Sequence, residues 1–375
     1  MTVTVEPVED LDAFIGFATE LHKDDDAFVP PLHAWLRYRL GPKNAFFKEA
    51  TIRLYIARRE GQIVGTISAL RDPRHEQLKG ESVGFFGFFY CIDDIEVARA
   101  LIDRAEADIR GWGLAAMRGP RNLTRVEEVG VTVTGATFRP PLLAPHHAAH
   151  HARLLEELGF EKHHDHLAYH VELCDPDGKK RGLPPKLAAQ SASVTLPGLS
   201  IRSIRWLSLR SDLSLAFTVF VEAFRTVPDN TPMPRAQFMG LVSGLLFLTN
   251  PRLMQLALVD GKPVGFAICV PELNEAVIAA SGRLWPLGWW RLLWAMRSIR
   301  TASFKLLGIL PEMRGSGLHA RLIAHAVEGV QAAGYTRLEA SLIDERNAPM
   351  RAVVEGAGME IYKAVRVFER PIDQI

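Results

Sequence analysis

Cysteine is scarce in this 375-residue chain: Cys91, Cys174 and Cys269 are widely separated, odd in number and without metal-ligand spacing. They read as free thiols in a reducing compartment, which excludes a disulfide scaffold. Net charge is nearly absent, +1 from 44 basic and 43 acidic residues, so there is no broad electrostatic footprint for nucleic acid. No uninterrupted run of 18 apolar residues offers a membrane span. The opening Met1-Thr2-Val3-Thr4-Val5-Glu6 lacks the basic and apolar regions of a secretory leader, and a cytoplasmic location is the expectation. Apolar content of 48% and charged content of 23% are ordinary for a globular protein, and the length suffices for two domains with full cores.

Near the C-terminus the apolar run Phe304–Leu310 stops at Pro311. Arg314-Gly315-Ser316-Gly317-Leu318 follows, then the helix-like His319-Ala320-Arg321-Leu322-Ile323-Ala324. Glycines 315 and 317 remove Cβ atoms where a bulky anion must approach the backbone. The first N–H groups of a helix lack intrahelical partners and sit at the positive end of its dipole. Strand, glycine turn and helix N-terminus together make a phosphate cradle. No Gly-x-x-x-x-Gly-Lys-Ser/Thr occurs, which excludes a Walker loop. Spacing alone leaves a dinucleotide fingerprint open, because Ala320 is an allowed third small residue and Glu339 lies about 20 residues on.

The Arg-x-x-Gly-type loop after a strand ending in proline resembles the acyl-CoA pyrophosphate loop of the GNAT N-acyltransferase superfamily, with His319 in place of the usual small final residue. Asn347 and Gly358 fall at the separation of a second GNAT element, and Val354 stands where the family usually has its tyrosine acid. The resemblance implies acyl-CoA as co-substrate and no permanently bound cofactor. It implies an acyl-CoA site made of Leu307, Ile309, Leu310, Arg314, Gly315, Ser316, Gly317, Leu318, His319 and Asn347. An N–H near Ile309 or Leu310 would polarise the thioester. On the next strand, Arg337–Ile343, residues Glu339, Ser341 and Ile343 share one face. Glu339 is then a candidate base or a structural carboxylate. Tyr362, His319 or water would protonate the leaving thiolate.

The chain also repeats itself. Arg59-Glu60-Gly61-Gln62-Ile63-Val64-Gly65 parallels Val259-Asp260-Gly261-Lys262-Pro263-Val264-Gly265, each reading as a hairpin with an acidic-Gly turn. Leu155–Phe160 parallels Val354–Met359. The expected fold class is α+β: two tandem GNAT-like folds, each a mixed, mostly antiparallel twisted sheet flanked by helices. The expected division is an N-terminal unit 1–174 without an acyl-CoA loop, a linker 175–199 and an acyl-CoA-binding unit 200–375. The first unit has Ile92-Asp93-Asp94-Ile95-Glu96 where the second has its glycine loop. Its long connection through Gly119–Thr124 and Phe138–Pro141 reads as a substrate wall facing the second.

Eight of the thirteen histidines fall between 146 and 170. His147 and His151, spaced i, i+4 in an expected helix, could share a metal or supply a general base from the first unit. His163, His164 and His166 lie near Asp165, but no acid or cysteine pattern completes a recognised metal site, so no metal is expected. Between 283 and 300 lie four of the seven tryptophans (Trp285, Trp289, Trp290, Trp294) and four arginines. That segment reads as buried against the other unit, as lining an acyl-chain tunnel, or as a contact with the inner membrane face.

In outline the whole chain resembles a tandem GNAT group similar to the bacterial ceramide synthases, which implies N-acylation of a hydrophobic amine such as a sphingoid base by a long-chain acyl-CoA. Alternatives are acetyl transfer to a small polar amine or protein lysine, and a non-catalytic acyl-CoA sensor.

Overall fold

The computed structural model describes residues 2–372 apart from 125–126, 226–233, 237, 240–248, 283 and 286; Arg283 and Pro286 of the tryptophan-rich segment thus lie outside the described residues. The first half forms β1 (Thr4–Pro7), α1 (Leu11–Leu21), α2 (His33–Leu40), β2 (Thr51–Arg59), β3 (Gln62–Arg71), α3 (Pro73–Lys79), β4 (Val83–Cys91), α4 (Ile95–Gly111), β5 (Ala116–Gly119), β6 (Val131–Thr134), α5 (His150–Glu157) and β7 (Glu161–Glu172). The remainder forms α6 (Pro185–Ala192), β8 (Leu199–Ser203), α7 (Leu209–Ala223), β9 (Met254–Val259), β10 (Lys262–Pro271), α8 (Asn274–Ala280), α9 (Gly288–Ala295), β11 (Thr301–Ile309), α10 (Leu318–Ala332), β12 (Arg337–Asp344), α11 (Ala348–Gly356) and β13 (Glu360–Pro371).

The repeated hairpins take the geometry their turns require. Glu60 and Gly61 have φ of 52° and 79°, Asp260 and Gly261 48° and 78°, the left-handed pair of a type I′ turn. Each hairpin then receives its half's main helix at a glycine. A Cβ on Gly65 would lie 2.7 Å from Leu101 of α4, and one on Gly265 would lie 2.9 Å from Leu322 of α10. Val97, Leu101, Ile102, Ala105 and Ile109 recur along one buried face of α4, the 3.6-residue period of a helix on a sheet.

Both halves contribute to one continuous mixed sheet in the order β1-β2-β3-β4-β5-β13-β7-β12-β11-β10-β9-β8, with β6 also on β13. The last strands are exchanged. β13 pairs antiparallel with β5 of the first half, and β7 pairs antiparallel with β12 of the second. β7 and β13 pair antiparallel with each other at the centre. Phe368 of β13 and Ile372 complete the core formed by Phe86, Leu101 and Ile109, while Tyr169 of β7 and Leu173 complete the core formed by Leu322, Leu338 and Val330.

The segment 175–199 is packed rather than loose. The Asp175 carboxylate accepts from the N–H groups of Asp177 and Lys179, and α6 lies against α10 with Leu187 buried. The helix expected to carry both His147 and His151 starts at His150; His147 precedes it, its N–H donating to Thr132 Oγ1 of β6 at 3.3 Å.

Strand exchange generates a test. Phe368→Ala, a change near the C-terminus, should destabilise the first half by about 3–5 kcal/mol, the usual cost of a deleted core phenylalanine. Hydrogen exchange should localise the lost protection to β4, β5 and α4. Loss confined to the second half would contradict the exchanged topology.

Candidate active site

The parallel strands β11 and β12 stay paired from Thr301↔Arg337 to Phe304↔Ala340 and then diverge. On its other edge β11 has a bulge at Lys305, because Ile268 faces Leu306 and Cys269 faces Phe304. The Leu310 N–H donates to Val264 O at 3.0 Å and is therefore not the thioester donor suggested by the sequence. Alternation along an antiparallel strand instead turns the N–H groups of Leu307 and Ile309 toward the edge from which β12 has diverged.

The first half opens the same gap and fills it with its own chain. β4 and β5 pair only from Val83↔Ala116 to Phe85↔Arg118. A Cβ on Gly87 would then lie 2.3 Å from Arg121 O, and the Arg121 N–H donates to Phe86 O at 2.7 Å. Asn122 Oδ1 accepts the Phe88 N–H at 2.7 Å. The two helix N-termini differ in the same sense. At α4 the Asp94 carboxylate accepts from the Glu96 and Val97 N–H groups, with Glu96 in the first turn. At α10 the cap is Gly317, with no side-chain cap and no acid in the first turn. An anion is disfavoured at the former and accepted at the latter.

Gly315 and Gly317 have φ of 80° and 79°, and a Cβ on Gly315 would meet nothing within 4 Å. Ser316 Oγ donates to Met313 O at 2.7 Å and accepts the Leu318 N–H. Arg314 is exposed and donates to Ala223 O at the end of α7, while Val194, just after α6, lies 3.0 Å from where a Gly317 Cβ would be. This open cradle fits the pyrophosphate of a coenzyme A ester. His319, in the first turn of α10, is half-buried, which lowers its pKa. Asn347 is the N-cap of α11, its Oδ1 accepting the Met350 N–H, and Val354 is in the core of the second half.

At the mouth of the gap sits a charged cluster. Ser303↔Glu339 is the next-to-last pair of β11 and β12. Glu339 Oε1 accepts from Ser341 Oγ at 3.1 Å and Ser303 Oγ at 3.5 Å, and the Tyr362 hydroxyl of β13 also bonds Glu339. Lys305 Nζ donates to Ser341 Oγ at 3.0 Å and to Leu142 O. Glu272, which follows β10, accepts the N–H groups of Leu142 and Asn274 at 2.9 and 3.2 Å. Burial, then the Glu339 charge, pushes Glu272 up to about 8. Burial also raises Glu339, against the pull of Lys305, and lowers Lys305, against the pull of both carboxylates. Tyr362 is raised by burial and by Glu339, so its hydroxyl stays protonated. Sequence reading named Glu339 and Tyr362 but missed Glu272 and Lys305. The available signal was a lone lysine within the apolar run Phe304–Leu310, and an acid directly after the apolar run ending at Pro271.

Leu142 belongs to the connection expected to wall the second half, and it does face it: Asn274 Nδ2 also donates to Pro140 O at 3.0 Å. Leu142 and Leu273, neighbours of the cluster, line a cavity of about 560 Å³ between the halves. Phe28, Leu32, Val277 and Leu292 give it apolar walls, and Tyr90, Asn122 and Glu128 also line it. At its rim Leu284 and Leu292 turn inward while Trp285 and Trp294 are 82% and 67% exposed. The tryptophans are thus not buried against the first half.

His147 and His151 are not brought to this cluster. They pack on each other and on Tyr90, deep in the first half, and burial drives both pKa values well down. His151 is committed to the backbone, accepting the Cys91 N–H at Nε2 and bonding Ala148 O through Nδ1, which leaves no lone pair for general-base work.

No protein-family model matches the chain. It is 29% identical to the bacterial ceramide synthase of Caulobacter vibrioides (strain NA1000 / CB15N), over 99% of this chain and 97% of that protein. It is also 29% identical to protein YghO of Escherichia coli (strain K12), over 97% and 93% of the two chains. Among solved structures it matches a tandem GNAT protein from the clavulanic acid biosynthesis pathway, with TM-score 0.58 and 15% identity over 99% and 98% of the chains. A GCN5-related N-acetyltransferase from Sphaerobacter thermophilus matches with TM-score 0.53 and 14% identity over 98% and 95%. The chain has the tandem GNAT fold, and with its whole-length likeness to a ceramide synthase this supports N-acyl transfer as its activity.

Proposed function

We propose that this chain is an acyl-CoA-dependent N-acyltransferase that joins a long acyl chain to the amine of a lipid-like acceptor of the sphingoid-base kind. The observation that carries the reading is the Glu339–Lys305–Glu272 cluster at the gap beside β11, bonded through Lys305 and Glu272 to Leu142, which lines an apolar cavity of about 560 Å³. Pantetheine runs along the open edge of β11, with the pyrophosphate on the Gly315–Gly317 turn. Lys305 and Leu307 are two strand residues apart, about 7 Å, so a thioester at Leu307–Ile309 lies within reach of the cluster.

The amine nitrogen attacks the thioester carbon; the C–N bond forms and the C–S bond breaks. Glu339 takes the ammonium proton directly or through water, and the Ile309 N–H donates to the carbonyl oxygen as charge develops there. As the C–N bond forms, the nitrogen sheds its second proton; the leaving thiolate, of an ordinary thiol pKa of about 8.5, takes up that proton through water, with Tyr362 as a neutral donor in the site, and Glu339 returns its proton to solvent. Glu339 acts in its ionised form and burial raises its pKa, so kcat/KM should fall as pH drops through that raised ionisation. Glu339→Gln should lower kcat by about 10²–10⁴-fold while palmitoyl-CoA still binds. A loss under tenfold would remove Glu339 as base. A wild type that binds palmitoyl-CoA yet releases no CoA thiol with any amine is a sensor rather than an enzyme.

Calorimetry distinguishes the acyl classes. Palmitoyl-CoA should bind at least about 100-fold tighter than CoA, which burial of about four methylenes at ~0.8 kcal/mol each supplies. Gly315→Asp, placing a carboxylate in the cradle, should abolish both. Equal affinities would favour acetyl transfer to a small amine.

The acceptor reaches the site from a membrane surface in this reading. Trp289, Trp290 and Trp294 are exposed on α9 beside the exposed Arg291, Arg297 and Arg300, an arrangement suited to the headgroup boundary. No described helix is long and apolar enough to cross a membrane. Trp290→Ala with Trp294→Ala should cut co-sedimentation with anionic phosphatidylglycerol vesicles several-fold and leave turnover of a short, soluble amine unchanged. Unaltered vesicle binding would exclude α9 as the contact.

A further inference from the structure

We propose that His164, His166 and Asp344 bind a divalent transition-metal ion, zinc by its donor set, where the two halves exchange strands. Sequence spacing suggests no metal because Asp165, the acid nearest these histidines, alternates to the opposite face of the strand, where Arg366 holds it; the fold brings an acid to their own face from β12, far along the chain. His164 and His166 are two residues apart on β7 and share a face. Asp344 is the β12 residue paired directly with His166.

The donor atoms converge. His164 Nε2 and His166 Nε2 are 3.0 Å apart, His164 Nε2 is 3.8 Å from Asp344 Oδ2, and one ligand atom from each of the three residues lies within 4.8 Å of the others. A tetrahedral zinc with bonds of about 2.0–2.1 Å places neighbouring ligand atoms about 3.3 Å apart, so small side-chain adjustments suffice. All three residues are nearly inaccessible, at 2%, 3% and 3% exposure. Two imidazoles and a carboxylate converging in a dry sheet centre suit a borderline N/O-binding cation.

The surroundings orient the ligands as metal sites do. His164 Nδ1 lies 2.6 Å from His163 Nδ1, so the second ring nitrogen of His164 has a partner while Nε2 faces the centre. Asp344 is gripped by Arg346 through Nε at 3.0 Å and Nη2 at 2.8 Å, which fixes the carboxylate plane. Beside the histidines is a small cavity of about 20 Å³, bounded also by Phe85, Gly119, Val129 and Val367. It has room for one water-sized fourth ligand. Arg118 and Arg121 also border it, but Arg118 is paired with Glu81 and Glu369, and Arg121 with Asp72. Since β7 and β12 come from different halves, the ion acts as a staple across the exchange rather than as part of acyl transfer.

The test reads metal, not activity, so its outcome is separate from that of the acyltransfer reading. Full-length protein grown with added zinc should carry about one equivalent by plasma mass spectrometry. After chelator treatment it should bind one Co²⁺ with the visible bands of a four-coordinate site. His164→Gln and Asp344→Asn should reduce the metal to background with circular dichroism retained, and His163→Leu should weaken affinity about 10–100-fold. Stripped wild type that gives no cobalt spectrum overturns the proposal whatever the variants do, and leaves the two imidazoles sharing a proton instead. A full equivalent persisting in the His164 and Asp344 variants overturns it too, since the ion then sits elsewhere.

Discussion

Each half of this molecule ends its sheet with a strand that the other half encodes, and the rest of the structure depends on that exchange. β7 and β13 run antiparallel to one another with neighbours on both edges, so their backbone polar groups are satisfied only when both halves are folded. Neither half's apolar residues make a closed core alone: Phe368 is needed on one side and Tyr169 on the other. The candidate active site inherits the constraint. Glu339 is paired across the sheet with His170 of β7, and the Tyr362 hydroxyl that bonds its carboxylate comes from β13. The chain could not keep this cluster while separating its halves.

Within that shared sheet the two halves have diverged by filling or emptying one gap. Both lose strand pairing at the same place, after Phe85 in one and after Phe304 in the other. In the first half Arg121 and Asn122 re-pair the freed backbone, and an aspartate caps the facing helix. In the second, a lysine in a bulge and a glycine cap leave the gap and the helix end available. The repeated fold thereby yields one filled gap and one open candidate cleft, with the connection through Leu142 held beside the open one by Glu272 and Lys305.

Much of this was legible in the sequence because it is local. The acidic-Gly hairpins, the glycine turn before α10 and the period-two face of β12 each follow from a few adjacent residues. The exchange was not legible, since a strand's hydrophobic alternation does not say which edge it joins. Glu272 and Lys305 escaped for a related reason: their meaning lies in a contact with Leu142, which is remote from both in sequence. The histidines misled because residue spacing suggests a helical pair at His147 and His151, whereas the backbone turns helical only at His150. His164 and His166 gain their acid from a strand that sequence proximity cannot supply.

The charge balance of the cluster argues for what it receives. Two buried carboxylates face one lysine, and in a poorly solvated site like charges do not both ionise without compensation. One proton is therefore retained near neutral pH: burial first, and then the Glu339 charge, push Glu272 up to about 8. The site is one cation short. In the proposed reaction, an ammonium acceptor would supply that charge on entering from the apolar cavity, permit the second carboxylate to ionise, and then give its own proton to Glu339 as it becomes a nucleophile. With that proton on Glu339 and the amide neutral, the attraction that would draw the ammonium in is absent for the product, which favours its release.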